Sequence, residues 1–127
     1  MPPLAITGHT VDNTVVLTIS GEIDLSNSEV VYAALSKALA RGIPVILDLT
    51  GVEFLDSRGL ASILQARHEA AVSEPPTLLT IPSPPAARVF DVAGTGALLP
   101  LFNDLAEARA ALAALTPPLA EPLRGEG

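Results

Sequence analysis

The segment Pro44-Val45-Ile46-Leu47-Asp48-Leu49 is a short, nearly continuous apolar run. A strand with one wet face would alternate apolar and polar residues. An unbroken run instead reads as a central strand buried on both faces. Such a strand needs cover on each side, and the flanking chain supplies helices. Val31, Leu35, Ala38 and Leu39 recur at helical spacing before it, and Leu60, Ile63, Leu64 and Ala71 recur after it. Thr77 to Ile81 is the next strand. The order strand, helix, strand, helix, strand implies parallel pairing through right-handed crossovers. The expected fold class is α/β, with a four- to five-stranded mixed β-sheet and about four helices.

The edges of this pattern are also legible. Residues 4–9 and 14–20 read as an antiparallel hairpin closed at Asp12-Asn13. Ser26 and Glu29 have the spacing of a capping box before the first helix, and Arg41-Gly42 ends it. The second helix is expected from Ser57 to about Val72, with Glu74-Pro75-Pro76 as the break. Pro84-Pro85 opens a third helix, which Gly94 of Gly94-Thr95-Gly96 closes as a C-cap rather than as part of a phosphate loop. Leu98 to Phe102 reads as a short edge strand that tolerates Pro100. Asp104 and Glu107 repeat the capping-box spacing before a helix over Ala108 to Leu115. The domain is expected to span 1–115. The tail 116–127, with three prolines and two glycines, reads as disordered.

Composition narrows the chemistry. Aromatics are 3% of the 127 residues, so the core must be built from Leu, Val, Ile and Ala. The absence of cysteine excludes disulfides, thiolate metal sites and cysteine nucleophiles. Seven scattered basic residues and a net charge of −7 argue against direct nucleic-acid binding and favour a soluble monomer. No apolar run approaches the ~20 residues of a membrane span. Met1-Pro2-Pro3-Leu4 lacks the basic and apolar regions of a signal peptide. A cytoplasmic domain, without membrane attachment, is the expectation.

His9 and His68, the two histidines, read as surface residues, since nothing sets either beside a nucleophile. Glu22, Asp24, Asp48, Glu53 and Asp56 fall at or just beyond predicted strand ends, where sites lie in parallel sheets. A carboxylate Mg²⁺ site is one reading of them, but it wants a lysine near a later strand end. The only lysine, Lys37, lies inside the first helix. The bland reading is solvated loop acids and acids favoured at helix starts.

Val52-Glu53-Phe54-Leu55-Asp56-Ser57-Arg58-Gly59-Leu60 joins the buried strand to the second helix. Asp56 and Ser57 are both good N-cap residues. Ser57 is also in place to accept a phosphate, which the helix start and Arg58 would accommodate. On the residues alone both readings stand.

Four segments in order resemble one known family. They are Val16-Leu17-Thr18-Ile19-Ser20-Gly21-Glu22-Ile23-Asp24, Val45-Ile46-Leu47-Asp48-Leu49-Thr50-Gly51-Val52, Phe54-Leu55-Asp56-Ser57-Arg58-Gly59-Leu60 and Val89-Phe90-Asp91-Val92-Ala93-Gly94. Together they resemble STAS-domain anti-sigma factor antagonists (anti-anti-sigma factors), the partner-switching modules of bacterial transcription regulation. Arg58 stands where the family usually has Ser or Thr. The resemblance implies a single STAS-like domain with no catalysis and no cofactor of its own. It implies that the unphosphorylated form binds an anti-sigma factor serine kinase and frees a sigma factor. Phosphorylation of Ser57 would end that binding, and a PP2C-type phosphatase would restore it. The partner-binding residues it implies are Asp24, Ser26, Asp56, Ser57, Arg58, Gly59 and Leu60. Two other readings stand beside it: a non-switching STAS-type structural subunit of a sensory or transport assembly, which keeps the fold but drops the switch, and an enzyme using the acidic cluster.

Overall fold

The computed structural model describes residues 3–71, 76–96 and 98–115. The elements run β1 (Ala5–Val11), β2 (Thr14–Ile23), α1 (Ser28–Leu39), β3 (Val45–Leu55), α2 (Ser57–Ala70), β4 (Leu78–Pro82), α3 (Pro84–Ala93) and α4 (Leu105–Leu115). The sheet order is β1-β2-β3-β4. β1 and β2 are antiparallel, while β2, β3 and β4 are parallel. The hairpin turns through Asp12 and Asn13, both left-handed at φ 50° and 59°. These residue types tolerate that conformation, and the resulting turn matches the strand twist. The expected tail, 116–127, lies outside the described residues.

β3 is covered on both faces, as its apolar run requires. Val45, Leu47 and Leu49 join the main core with α1, α2 and α3. Ile46 faces the other way and packs with Leu79, Ile81 and Ala108 under α4. Among the described residues, no helix is long and apolar enough to cross a membrane.

Several boundaries differ from the sequence reading, each for a local reason. β2 and β3 run on to Ile23 and Leu55, past the expected ends at 20 and 49. The ladder shifts register twice and then resumes, pairing Gly21 with Val52, Glu22 with Phe54 and Ile23 with Leu55. Gly51 lies so close to Ser20 that a Cβ would come within 2.8 Å of the Ser20 Cβ. The expected edge strand at Leu98 to Phe102 shrinks to one bridge, Thr80 with Leu101. Thr80 donates to Pro100 and accepts from Phe102, but the next donor along β4 on that side would be Pro82, which has no N–H. At the other end, Leu98 and Leu99 donate back to the Thr95 carbonyl, so that chain is already turning.

The helix starts also sort themselves. The Ser26–Glu29 capping box does not form. Asn27 is the N-cap residue of α1 and makes no side-chain cap bond, because its amide is spent on Glu22 and Asp24. α2 ends at Ala70, ahead of the expected Val72, which lies outside the described residues. Ser83 caps α3, and Gly94 closes it at φ 70°. α4 begins at Leu105, three residues earlier than expected, with Asp104 accepting from the Glu107 N–H at 2.7 Å.

One polar clasp joins α1 to α2. The Tyr32 hydroxyl donates to the Glu69 carboxylate. That bond, then a second from Gln65, holds the Glu69 carboxyl below its ordinary value. The same bond raises the Tyr32 phenol. The carboxylate contribution is present above the ordinary Glu range and is lost as pH falls through the lowered folded value. Tyr32→Phe should therefore lower the urea midpoint at neutral pH. The difference from wild type should shrink in acid once Glu69 is protonated, since the phenol then donates to a neutral carboxyl. A difference that persists unchanged in acid would assign the effect to packing instead.

Candidate functional site

The parallel strands β2 and β3 end side by side at Ile23 and Leu55. The Asp56 N–H donates to the Ile23 carbonyl at 3.2 Å. That bond fixes where the chain leaves the sheet and enters α2. Asp56 stays extended, at φ −98° and ψ −179°, and its Oδ1 accepts from the Gly59 N–H at 2.8 Å. Of the two cap candidates, Asp56 therefore takes the cap. Ser57 becomes the first residue of the helix, exposed, and among the described residues its hydroxyl makes no hydrogen bond.

Gly59 explains how the helix start comes so close to the sheet. A Cβ there would stand 2.6 Å from both Ile23 Cγ2 and Leu55 Cδ1. Gly59 is buried, and Leu60 is nearly so beneath the first turn of α2. Gly59 lets the first turn of α2 sit close against the sheet, and Leu60, beneath that turn, also lines the groove beside Ser57.

Asp24 sits on the neighbouring loop, half-buried. Its Oδ1 accepts from the Ser26 N–H at 2.9 Å and from the Ser26 hydroxyl at 2.6 Å. Ser26, which the sequence places in a cap, is instead an exposed strut of this loop. Leu25 at the loop tip is 64% exposed. Arg58 is exposed but belongs to the cleft between α1 and α2, with Glu29, Tyr32 and Gln65. It thus faces a different cleft from the one that Ser57 lines.

That other cleft was not legible in the sequence. An open groove of about 390 Å³ runs between α2 and α3, lined by Ser57, Leu55, Leu60, Arg88, Val89 and Val92. Val92 is 88% exposed, although it is apolar. Val89 and Val92 stand three apart on one helix face, which was the available signal. Nothing local says that this face looks toward Ser57, some 30 positions earlier.

The acids that looked clustered are distributed. Asp48 lies within β3 and accepts from the Thr50 N–H and hydroxyl. Glu22 and Glu53 are strand residues. Among the described residues, no group of three His, Asp or Glu side chains could hold a metal ion. His9 and His68 are both exposed.

Known proteins share this fold. The STAS domain family matches residues 5–108. An anti-sigma F factor antagonist of Lysinibacillus sphaericus is 33% identical over 99 residues, covering 76% of this chain and 82% of that protein. The crystal structure of an anti-sigma factor antagonist from Mycobacterium paratuberculosis superposes with a TM-score of 0.77 at 25% identity, over 86% of this chain and 93% of that one. SpoIIAA, an anti-sigma factor antagonist, is 26% identical in both its forms. The unphosphorylated form gives a TM-score of 0.65, over 87% of this chain and 96% of its own. The phosphorylated form, from Bacillus, gives 0.61, over 88% and 100%. Sequence and fold agree over most of the chain's length, and the chain belongs to the STAS domain family, among its anti-sigma factor antagonists.

Proposed function

We propose that this chain is a phosphorylation-controlled partner switch. Unphosphorylated, it binds an anti-sigma factor that is also a serine kinase, and so frees a sigma factor. Phosphorylated on Ser57, it lets the kinase go, and a PP2C-type phosphatase returns it to the binding state. One observation carries the reading: Asp56 caps α2, and Ser57 is exposed on the rim of an apolar groove, its hydroxyl without a hydrogen bond among the described residues. The names of the relatives support it, since one of them, SpoIIAA, exists in a phosphorylated form.

The other nearby serines are poorer acceptors. The Ser26 hydroxyl is held by Asp24. Ser62 is buried, with its hydroxyl donating to the Gly59 carbonyl at 2.7 Å. In the reaction, Ser57 Oγ attacks the γ-phosphorus of ATP carried by the kinase. The Oγ–P bond forms, the bond from the γ-phosphorus to ADP breaks, and the hydroxyl proton goes to a base on the kinase. The product carries about −1.5 to −2 charges at this site. Burying that charge in an interface costs desolvation free energy. Each ~1.4 kcal/mol of that cost weakens binding tenfold.

The test is peptide mass spectrometry after incubation with the cognate anti-sigma factor and ATP. One phosphate is expected, on Ser57. Ser57→Ala should stay folded, bind the partner and take up no phosphate. A phosphate found only on Ser26 or Ser62 would overturn the assignment.

A further inference from the structure

Arg88 lines the same groove as Ser57, on the opposite wall, in α3. It is exposed, and among the described residues it has no ion-pair partner. Arg109, by contrast, is bound to Asp12 at 2.7 Å. Arg58 follows Ser57 in sequence, yet it lines the cleft on the α1 side of α2. The arginine adjacent in the chain and the arginine sharing the groove are thus different residues.

We propose that Arg88 is the counter-charge for a phosphate on Ser57, drawing it into the groove between α2 and α3. The proposal rests on the reading of Ser57 as acceptor and names its regulation. A guanidinium presents a planar fork of donors that fits phosphate oxygens. The remaining walls are Leu55, Leu60, Val89 and Val92. Apolar walls screen the pair less than open water does. The phosphate then acts twice. It brings charge to the surface, and it occupies the groove whose apolar walls, Val92 above all, are the surface an unphosphorylated chain offers. Among the described residues, Arg88 is the one charged side chain lining the groove; Asp56 adjoins Ser57 in the chain, Asp91 follows Arg88 by three positions on α3, and Arg58 lines the other cleft. The Asp56 carboxylate is held by the Gly59 N–H.

The test uses the full chain with phosphoserine installed at position 57 by genetic encoding, so no kinase is needed. Phosphorus NMR follows the second ionisation of the phosphate against pH. In the wild type it should titrate lower than in the same chain unfolded in urea, by about half a unit, since a facing cation favours the dianion. Arg88→Gln should abolish most of that difference, Arg88→Lys should retain part of it, and Arg58→Gln should leave most of it. Equal titration in folded and unfolded wild-type chain would overturn the proposal. So would an Arg58→Gln effect as large as that of Arg88→Gln. Each variant is compared with its own urea-unfolded chain, after circular dichroism shows it folded in buffer, and Arg88→Lys supplies the charge-conserving comparison. A kinase reaction that leaves Ser57 unmodified would sink the reading of Ser57 as acceptor, whereas this titration addresses Arg88 alone.

Discussion

Phe90→Ala is expected to lower the stability of the domain by about 3–5 kcal/mol. Phe90 is 1% exposed and is the largest of the fully buried side chains. α3 buries only Ala86 and Phe90, so this ring is most of what holds the helix to the sheet. The other buried hydrophobic side chains of the described residues are aliphatic, so removing the ring leaves a cavity. Against a total stability of roughly 5–15 kcal/mol, such a loss is about a fifth or more. The Thr95 N–H and hydroxyl both donate to the Phe90 carbonyl. The end of α3 would therefore loosen along with its middle. Urea unfolding should show a lower midpoint at an unchanged slope. Because α3 forms one wall of the groove beside Ser57, partner affinity should fall even where most molecules remain folded. A stability loss below about 1 kcal/mol would mean that the cavity collapses freely and that α3 has another anchor.

What the sequence could reveal followed from the range of the interactions involved. The hairpin rests on Asp12-Asn13 and on adjacent residues, and the both-faces strand rests on a run of six. Each is local and was legible. The continuation of β3 to Leu55 is not local. It depends on Gly51 fitting against Ser20 across the sheet and on a register shift in the partner strand. The capping box read at Ser26 and Glu29 does not form, because Ser26, Asn27 and Ser28 are three consecutive polar residues at the helix start. Which of them caps depends on where Asp24 and Glu22 draw the side chains. The failed edge strand had its cause in view at Pro82, but only the sheet order shows which side of β4 that missing donor faces.

The candidate site divides in the same way. Ser57, Asp56 and Asp24 could be picked out by type and position. Whether Asp56 or Ser57 took the cap rested on a single hydrogen bond, to the Gly59 N–H. Gly59 and Leu60, implied as contact residues, are buried, with Gly59 packed against Ile23 and Leu55 and Leu60 lining the groove. Arg88 and Val92 could not be associated with Ser57 at all without the packing of α3 beside α2.

Ser57→Asp should weaken partner binding by about tenfold or more, which corresponds to ~1.4 kcal/mol, while leaving the fold intact. The first turn of α2 contains no acidic residue. A carboxylate there interacts favourably with the helix dipole, by about 0.3–1 kcal/mol, so the isolated domain has no reason to reject it. A partner docking on this surface does. The new charge joins those of Asp56 and Asp24, and docking removes the water that screened all three. One carboxylate carries less charge than phosphoserine, so the loss should be smaller than that caused by full phosphorylation. Ser57→Ala should bind as wild type, because among the described residues its hydroxyl makes no hydrogen bond. Asp24→Asn provides an independent probe. Its Oδ1 can still accept from Ser26, so the loop should persist while a charge disappears, and partner affinity or the phosphorylation rate should change. Calorimetric titration of the four proteins against one anti-sigma factor decides the matter. Equal affinities for wild type, Ser57→Ala and Ser57→Asp would place the interface elsewhere, and a charge-driven switch at Ser57 would then be excluded.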